Sequence, residues 1–156
     1  DMAGEMIQKG SKVNRFDVGD RVFGMIRFPQ HGRTLASHVV APEHQVAHLP
    51  SSISYKQGAA GSLAALTAYQ ALFTHGQLQK GMHVLIHAGA GGVGHFAIQM
   101  AHQIGAIVTT TCSAPNIPFV KALGATYCID YASHGFEKHC LPMDVVLDAM
   151  GFTYID

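Results

Sequence analysis

The chain has 156 residues, enough to bury one sizeable core or to hold one domain and a piece of another. Apolar residues make up 48% and charged residues 13%, the balance of a soluble globular protein, and no apolar run reaches membrane-spanning length because Gly, Ser, Thr and Gln interrupt residues 59–73. Ten basic residues offset ten acidic ones, with a mildly negative balance from Lys80 onward, so the composition carries no electrostatic footprint for nucleic acid or an anionic membrane. Along the chain, the first fifty residues read as β-rich. Turn residues fill 13–20, residues 21–26 alternate like a strand, and a second strand-like run at 35–41 is stopped by Pro42. Leu49-Pro50-Ser51-Ser52 punctuates the chain. Residues 55–73, rich in Ala, Leu and Gln, look helical in two pieces, closed by Gly76 and Gly81.

From Met82 the pattern becomes alternating strand and helix. Residues 83–87 form a short aliphatic strand, and 93–104 a helix with Val93, Phe96, Ala97, Met100 and Ile104 on one side. Residues 107–111 are the next strand, 118–123 a short helix ended by Gly124, and 127–129 and 144–147 two further strands, with another short helix expected between them. This succession argues for an α/β fold, a parallel sheet wound with helices. The expected organisation is a β-rich part over 1–50, a helical junction over 51–80 and the α/β part over 81–156.

The segment His87-Ala88-Gly89-Ala90-Gly91-Gly92-Val93-Gly94 contains G-x-G-x-x-G, and it leaves a buried strand and opens an amphipathic helix. Gly89 is expected to allow the tight turn, Gly91 to let the backbone approach a pyrophosphate, and Gly94 to let the helix pack close to the strand. The pyrophosphate of a dinucleotide would rest on unpaired amides at the positive end of that helix. A tight strand–helix turn without a ligand is the alternative, and the strand and helix on either side weigh against it. The second strand of the unit ends Thr110-Thr111-Cys112-Ser113, with no carboxylate until Asp130. An acid there would hold the ribose hydroxyls and repel a 2′-phosphate, whereas a small neutral Ser113 tolerates the phosphate and can donate to it. NADP(H) is therefore the expected cofactor, although no Arg or Lys follows Ser113 directly.

Read in order, Gly19-Asp20-Arg21-Val22, Thr67-Ala68-Tyr69, Ala90-Gly91-Gly92-Val93-Gly94 and Leu123-Gly124-Ala125 give a chain that resembles the medium-chain dehydrogenase/reductase superfamily, and within it the zinc-free, quinone oxidoreductase-like branch. The resemblance covers essentially the whole chain. It implies part of a GroES-like catalytic domain followed by the first half of a Rossmann-type, doubly wound domain, with the chain starting inside the former and stopping after the fourth sheet strand. It places Thr67 near the nicotinamide, Gly91-Gly92-Val93-Gly94 on the pyrophosphate, and Ser113 and Tyr131 around the adenosine 2′-phosphate. Asn116 falls where many NADP(H)-dependent members have Lys or Arg, and Gly151-Phe152 where the branch commonly has Gly-Gly. The implied activity of the full-length protein is hydride transfer from NADPH to a quinone or an α,β-unsaturated carbonyl.

Zinc is argued against by the absence of cysteine from residues 23–40, where the metal-dependent branch carries a four-cysteine lobe, and by Leu63 at the position of one catalytic ligand in that branch. His38, His44 and His48 are crowded but straddle Pro42 and lack a suitably spaced Cys or carboxylate. His95 and His102, two turns apart on one helix, read as solvated. Tyr55 and Tyr69 read as packing residues rather than proton donors. Cys112, Cys128 and Cys140 form no C-x-x-C pair and read as reduced thiols. The chain opens on Asp1 without a basic-apolar leader, so a cytoplasmic fragment is expected. Its partners are expected to be a small-molecule substrate and a second copy in a homodimer, with no nucleic acid and no membrane. Two rivals remain: a zinc-dependent alcohol dehydrogenase of the same fold, and a cofactor-binding scaffold without turnover.

Overall fold

The structure is a computed structural model that describes residues 1–133 and 142–151. The chain divides into two compact units, Asp1–Leu63 and Ala64–Asp156. In the first unit, β1 (Met2–Glu5), β2 (Arg21–Gly24) and β3 (Ala47–His48) form an antiparallel sheet in that order. Phe16, Val22, Ile26 and Val46 close over it as a small core. β2 stops at Gly24, where a Cβ would collide with the carbonyl of Gln45. The run at 35–41 is not a strand. It has no backbone partner among the described residues, Leu35 and Val40 lie fully or largely exposed, and only Val39 and Ala41 lean on the core. Alternation without a neighbouring strand leaves the backbone nothing to pair with.

Helix α1 (Tyr55–Tyr69) opens on a reciprocal cap: Gln57 N donates to Ser54 Oγ (3.3 Å) while Ser54 N donates to Gln57 Oε1 (2.9 Å). It continues as a π-helical turn over Gln70–His75, so the two expected pieces are one helical run in two windings. The wide turn closes with Gly76 N donating to Ala71 O at 2.8 Å, and a Cβ on Gly76 would lie 2.9 Å from Val145 Cγ1.

The second unit is built on β4 (His83–Ile86), β5 (Ile107–Cys112), β6 (Tyr127–Asp130) and β7 (Val145–Leu147), all parallel, in the order β6-β5-β4-β7. Helix α2 (Gly94–Gln103) crosses from β4 to β5, and a 3-10 turn at Ala114–Asn116 runs into α3 (Ile117–Ala122), which leads to β6. The buried line of α2 is Gly94, Ala97, Ile98 and Ala101, while Val93, Phe96, Met100 and Ile104 border it half-buried. The helix therefore sits rotated from the face expected, because small residues let it approach the sheet more closely than large ones. Val84, Ile86, Val108, Ile98, Leu72 and Val120 make up the centre of the core. The parallel sheet with its helices is the Rossmann-type half expected, and the antiparallel sheet occupies the part expected to be β-rich and GroES-like. The short helix expected ahead of β7 would fall in the stretch holding residues 134–141, which lies outside the described residues, as do Cys140 and Phe152.

Candidate functional site

In open parallel sheets, ligands bind beyond the carboxyl ends of the strands, where the strand order reverses. Here the reversal lies between β4, which continues to β5, and β7 on its other side. The glycine turn leaves β4 at that point. Its left-handed residue is Ala88 (φ 52°) rather than Gly89. Gly89 is required for another reason: a Cβ there would run into Thr110 Oγ1 and lie 2.9 Å from Ile98 Cδ1. A Cβ on Gly94 would strike the carbonyl of Ala88 and lie 2.8 Å from Gly89 Cα, so the close helix–strand approach assigned to it does rest on the missing side chain.

Two threonines of β5 hold the turn. Thr110 Oγ1 donates to Ile86 O (2.7 Å), and Thr111 Oγ1 accepts from Ala88 N (3.2 Å) and lies 3.1 Å from His87 Nδ1. Gly89 N donates to Thr111 O at 2.9 Å, and Gly91 N to Ala88 O at 2.8 Å. Beyond these bonds, the amides of Gly92 and Val93 have no partner among the described residues. They stand at the first turn of α2, where the unpaired donors and the helix dipole favour an anion. A Cβ on Gly92 would meet nothing within 4 Å, so the loop is open there.

Ser113 and Asn116 lie together past the end of β5, with Asn116 Nδ2 donating to Ser113 Oγ at 3.1 Å. Tyr131 follows β6, its amide 3.3 Å from Cys112 O and its ring exposed. The register sets Asp130 directly opposite Cys112, one residue from Ser113. A carboxylate therefore does reach this edge, through strand pairing that the linear spacing did not reveal. Its Oδ1 accepts from Ala132 N at 3.1 Å. Burial pushes the Cys112 thiol pKa up, helped by Cys128 and by Asp130.

On the other side of β4, Thr67, Ala71, His75, Val93 and Leu147–Ala149 line a cleft of about 460 Å³. Thr67 and Val93 are thus brought to one cleft, the rest of the glycine loop is not among its lining, and Ser113, Asn116 and Tyr131 lie at the neighbouring strand ends. The cleft holds one group the sequence reading passed over. Asp148 Oδ1 accepts from Met150 N (2.8 Å), while Oδ2 is buried without a partner among the described residues. An acid immediately after a parallel strand was the available signal.

The other candidates are engaged elsewhere. Arg21 stacks over the Tyr55 ring at 4.7 Å, and Tyr69 packs on Phe73 at 5.1 Å. His38 Nδ1 is 3.1 Å from Ser37 Oγ, and His48 Nε2 is 3.2 Å from Arg15 O. His102 packs where a Cβ on Gly124 would go. Among the described residues no three His, Cys, Asp or Glu side chains gather as a metal site, and no helix is long and apolar enough to cross a membrane.

Comparison with known proteins returns a family model described as zinc-binding dehydrogenase over residues 92–155. A quinone-oxidoreductase homolog of Spinacia oleracea, described as chloroplastic, is 43% identical over 136 residues, covering 84% of this chain and 41% of the relative. The quinone oxidoreductase of Coxiella burnetii superposes with a TM-score of 0.91 at 44% identity, covering 96% of this chain and 47% of that one. The Escherichia coli quinone oxidoreductase complexed with NADPH gives 0.74 at 31% identity, over 88% of this chain and 41% of that one. The chain thus spans less than half the length of these relatives.

Proposed function

This chain belongs to the quinone oxidoreductase-like branch of the medium-chain dehydrogenase/reductase superfamily, and from that premise we propose that its full-length protein is an NADPH-dependent, zinc-independent oxidoreductase. Its hydride acceptor in this reading is a quinone or an α,β-unsaturated carbonyl. The observation that carries the proposal is the glycine loop, whose Gly89 and Gly94 are sterically obligatory and whose Gly92 and Val93 amides are left open. The bound nicotinamide supplies the hydride chemistry. The chain's own work is to bind and orient. The Gly91–Gly94 turn receives the pyrophosphate, Ser113 and Asn116 receive the 2′-phosphate with Tyr131 beside them, and Thr67 borders the cleft on the nicotinamide side.

Residues 1–50 belong in this reading to the catalytic domain, 51–80 join it to the dinucleotide domain, and 81–156 make the first half of that domain. Zinc independence is supported by Leu63 and by the cysteine-free segment 23–40. The unpaired thiols of Cys112 and Cys128 fit a reducing compartment such as the cytoplasm, and the full-length protein is read as a homodimer. The test is calorimetric titration of the full-length protein with NADPH and NADH, followed by NADPH oxidation over a panel of quinones and enones. Tighter NADPH binding with turnover is expected. Equal or better NADH affinity would sink the cofactor assignment, zinc found by metal analysis would sink the metal-free assignment, and binding without turnover would favour a scaffold.

A further inference from the structure

The orientation of one peptide in the glycine loop depends on a side chain that the dinucleotide pattern does not include. The carbonyl of Gly91 accepts two bonds, from the His95 amide at 3.1 Å and from His95 Nδ1 at 2.9 Å. Any residue but proline at position 95 would supply the first bond, but the second belongs to the imidazole. The ring is packed against Phe96, centroids 4.1 Å apart, which restrains it. A trans peptide is planar, with its C=O and N–H pointing in opposite directions. Holding Gly91 O back toward α2 therefore turns the Gly92 N–H away from the helix, to the open side of the loop. Neither glycine has a side chain to resist rotation of this peptide, so without the second bond the orientation is weakly fixed.

We propose that His95 is a positioning residue of the dinucleotide site: its Nδ1–H fixes the Gly91–Gly92 peptide so that the Gly92 amide donates to the pyrophosphate. The inference rests on the reading that this loop takes NADPH. The bond requires the proton on Nδ1, so the neutral ring leaves Nε2 unprotonated, an acceptor.

Three variants test this in the full-length protein. His95→Ala removes ring and donor, His95→Phe keeps an aromatic ring without the donor, and His95→Asn returns an N–H at nearly the place of Nδ1. Titration with NADPH is expected to weaken about tenfold in the Ala and Phe variants and to stay within about twofold of the parent in the Asn variant, as loss and recovery of the charge-assisted bond from the Gly92 amide to the pyrophosphate would give. In the ligand-free protein the Gly92 amide resonance should move in Ala and Phe and return in Asn, a pattern that general loss of stability would not produce. Equal NADPH affinity in the parent and all three variants, or failure of Asn to recover what Phe loses, overturns the positioning role while leaving the cofactor reading intact. A parent that binds no NADPH overturns both.

Discussion

Gly94→Ala sets helix propensity against packing, and the two predict opposite signs. In a helix, Ala is favoured over Gly by about 1 kcal/mol. At this position, however, the added Cβ would lie 2.8 Å from Gly89 Cα and 2.9 Å from Ala88 C, besides running into Ala88 O. Carbon atoms rest about 3.5–4.0 Å apart, so the first turn of α2 must retreat from the β4 turn by roughly 0.7 Å or more. All the blocking atoms are backbone, and no side chain can swing aside. Overpacking costs about 1–3 kcal/mol, and three unyielding backbone atoms put this case in the upper part of that range, at about 2–3 kcal/mol; less the propensity gain, the net loss is about 1–2 kcal/mol. For a chain of this size the melting temperature should fall by about 2–8 °C. Because the Gly92 and Val93 amides move with the turn, NADPH affinity should fall about tenfold as well. Calorimetric melting and titration read the two effects. Gly92→Ala is the control: its Cβ meets nothing, so the fold should be unaffected while the added methyl interferes with an anion at the loop. A Gly94→Ala protein that melts at or above the parent would refute the close approach.

Ser113→Asp should reverse the cofactor preference, since a carboxylate there opposes a 2′-phosphate and can hold ribose hydroxyls; a ratio of NADPH to NADH affinity unchanged by the substitution would count against the placement. Thr110→Val keeps the shape of a buried side chain but removes the donor to Ile86 O, leaving that carbonyl short of a bond, so urea unfolding should show a loss of about 1–2 kcal/mol. Alkaline pH should destabilise the fold through Cys112. Its thiol pKa is raised above the unfolded value of 9.0 mainly by burial, so the stabilisation is complete below that value and is lost as pH climbs through the higher folded-state value. The urea midpoint of the parent should therefore fall more steeply above about pH 9 than that of Cys112→Ala, and parallel slopes would exclude the effect.

The parallel sheet was legible because its signals are local: short aliphatic runs, a helix between them and a glycine turn at the junction. The antiparallel sheet was legible only in β2, which falls within the strand read at 21–26. β1 and β3 are four and two residues long and owe their existence to β2, a partner that periodicity cannot see. The same blindness made 35–41 look like a strand, since alternation was present and a neighbour was not. Within the site, Gly89 was assigned the turn and instead makes room for Thr110, a contact set by the packing of β5 against β4. Asp130 stood too far along the sequence to be weighed against Ser113, and only the register brings it to the same edge. The Ser54–Gln57 cap could have been read directly, since its spacing is a local pattern.

The cofactor preference turns on how these neighbours divide the strand ends. β5 braces the glycine turn through Thr110 and Thr111, which bond to the turn and to β4, so the proposed dinucleotide site is held by the fold itself and should need little ordering on binding. Past the end of β5 comes the bonded pair Ser113–Asn116, neutral and able to donate. Asp130 brings a negative charge close by, but one of its oxygens is turned into the bend at Ala132. A carboxylate held in that bend is poorly placed to chelate two ribose hydroxyls, whereas the turn that carries Ser113 and Asn116 contains no acid of its own. Without a cation at position 116, the attraction for a 2′-phosphate comes from hydrogen bonds alone. The preference for NADPH should therefore be modest, and it should weaken only slightly as salt rises, because no exposed ion pair is being screened.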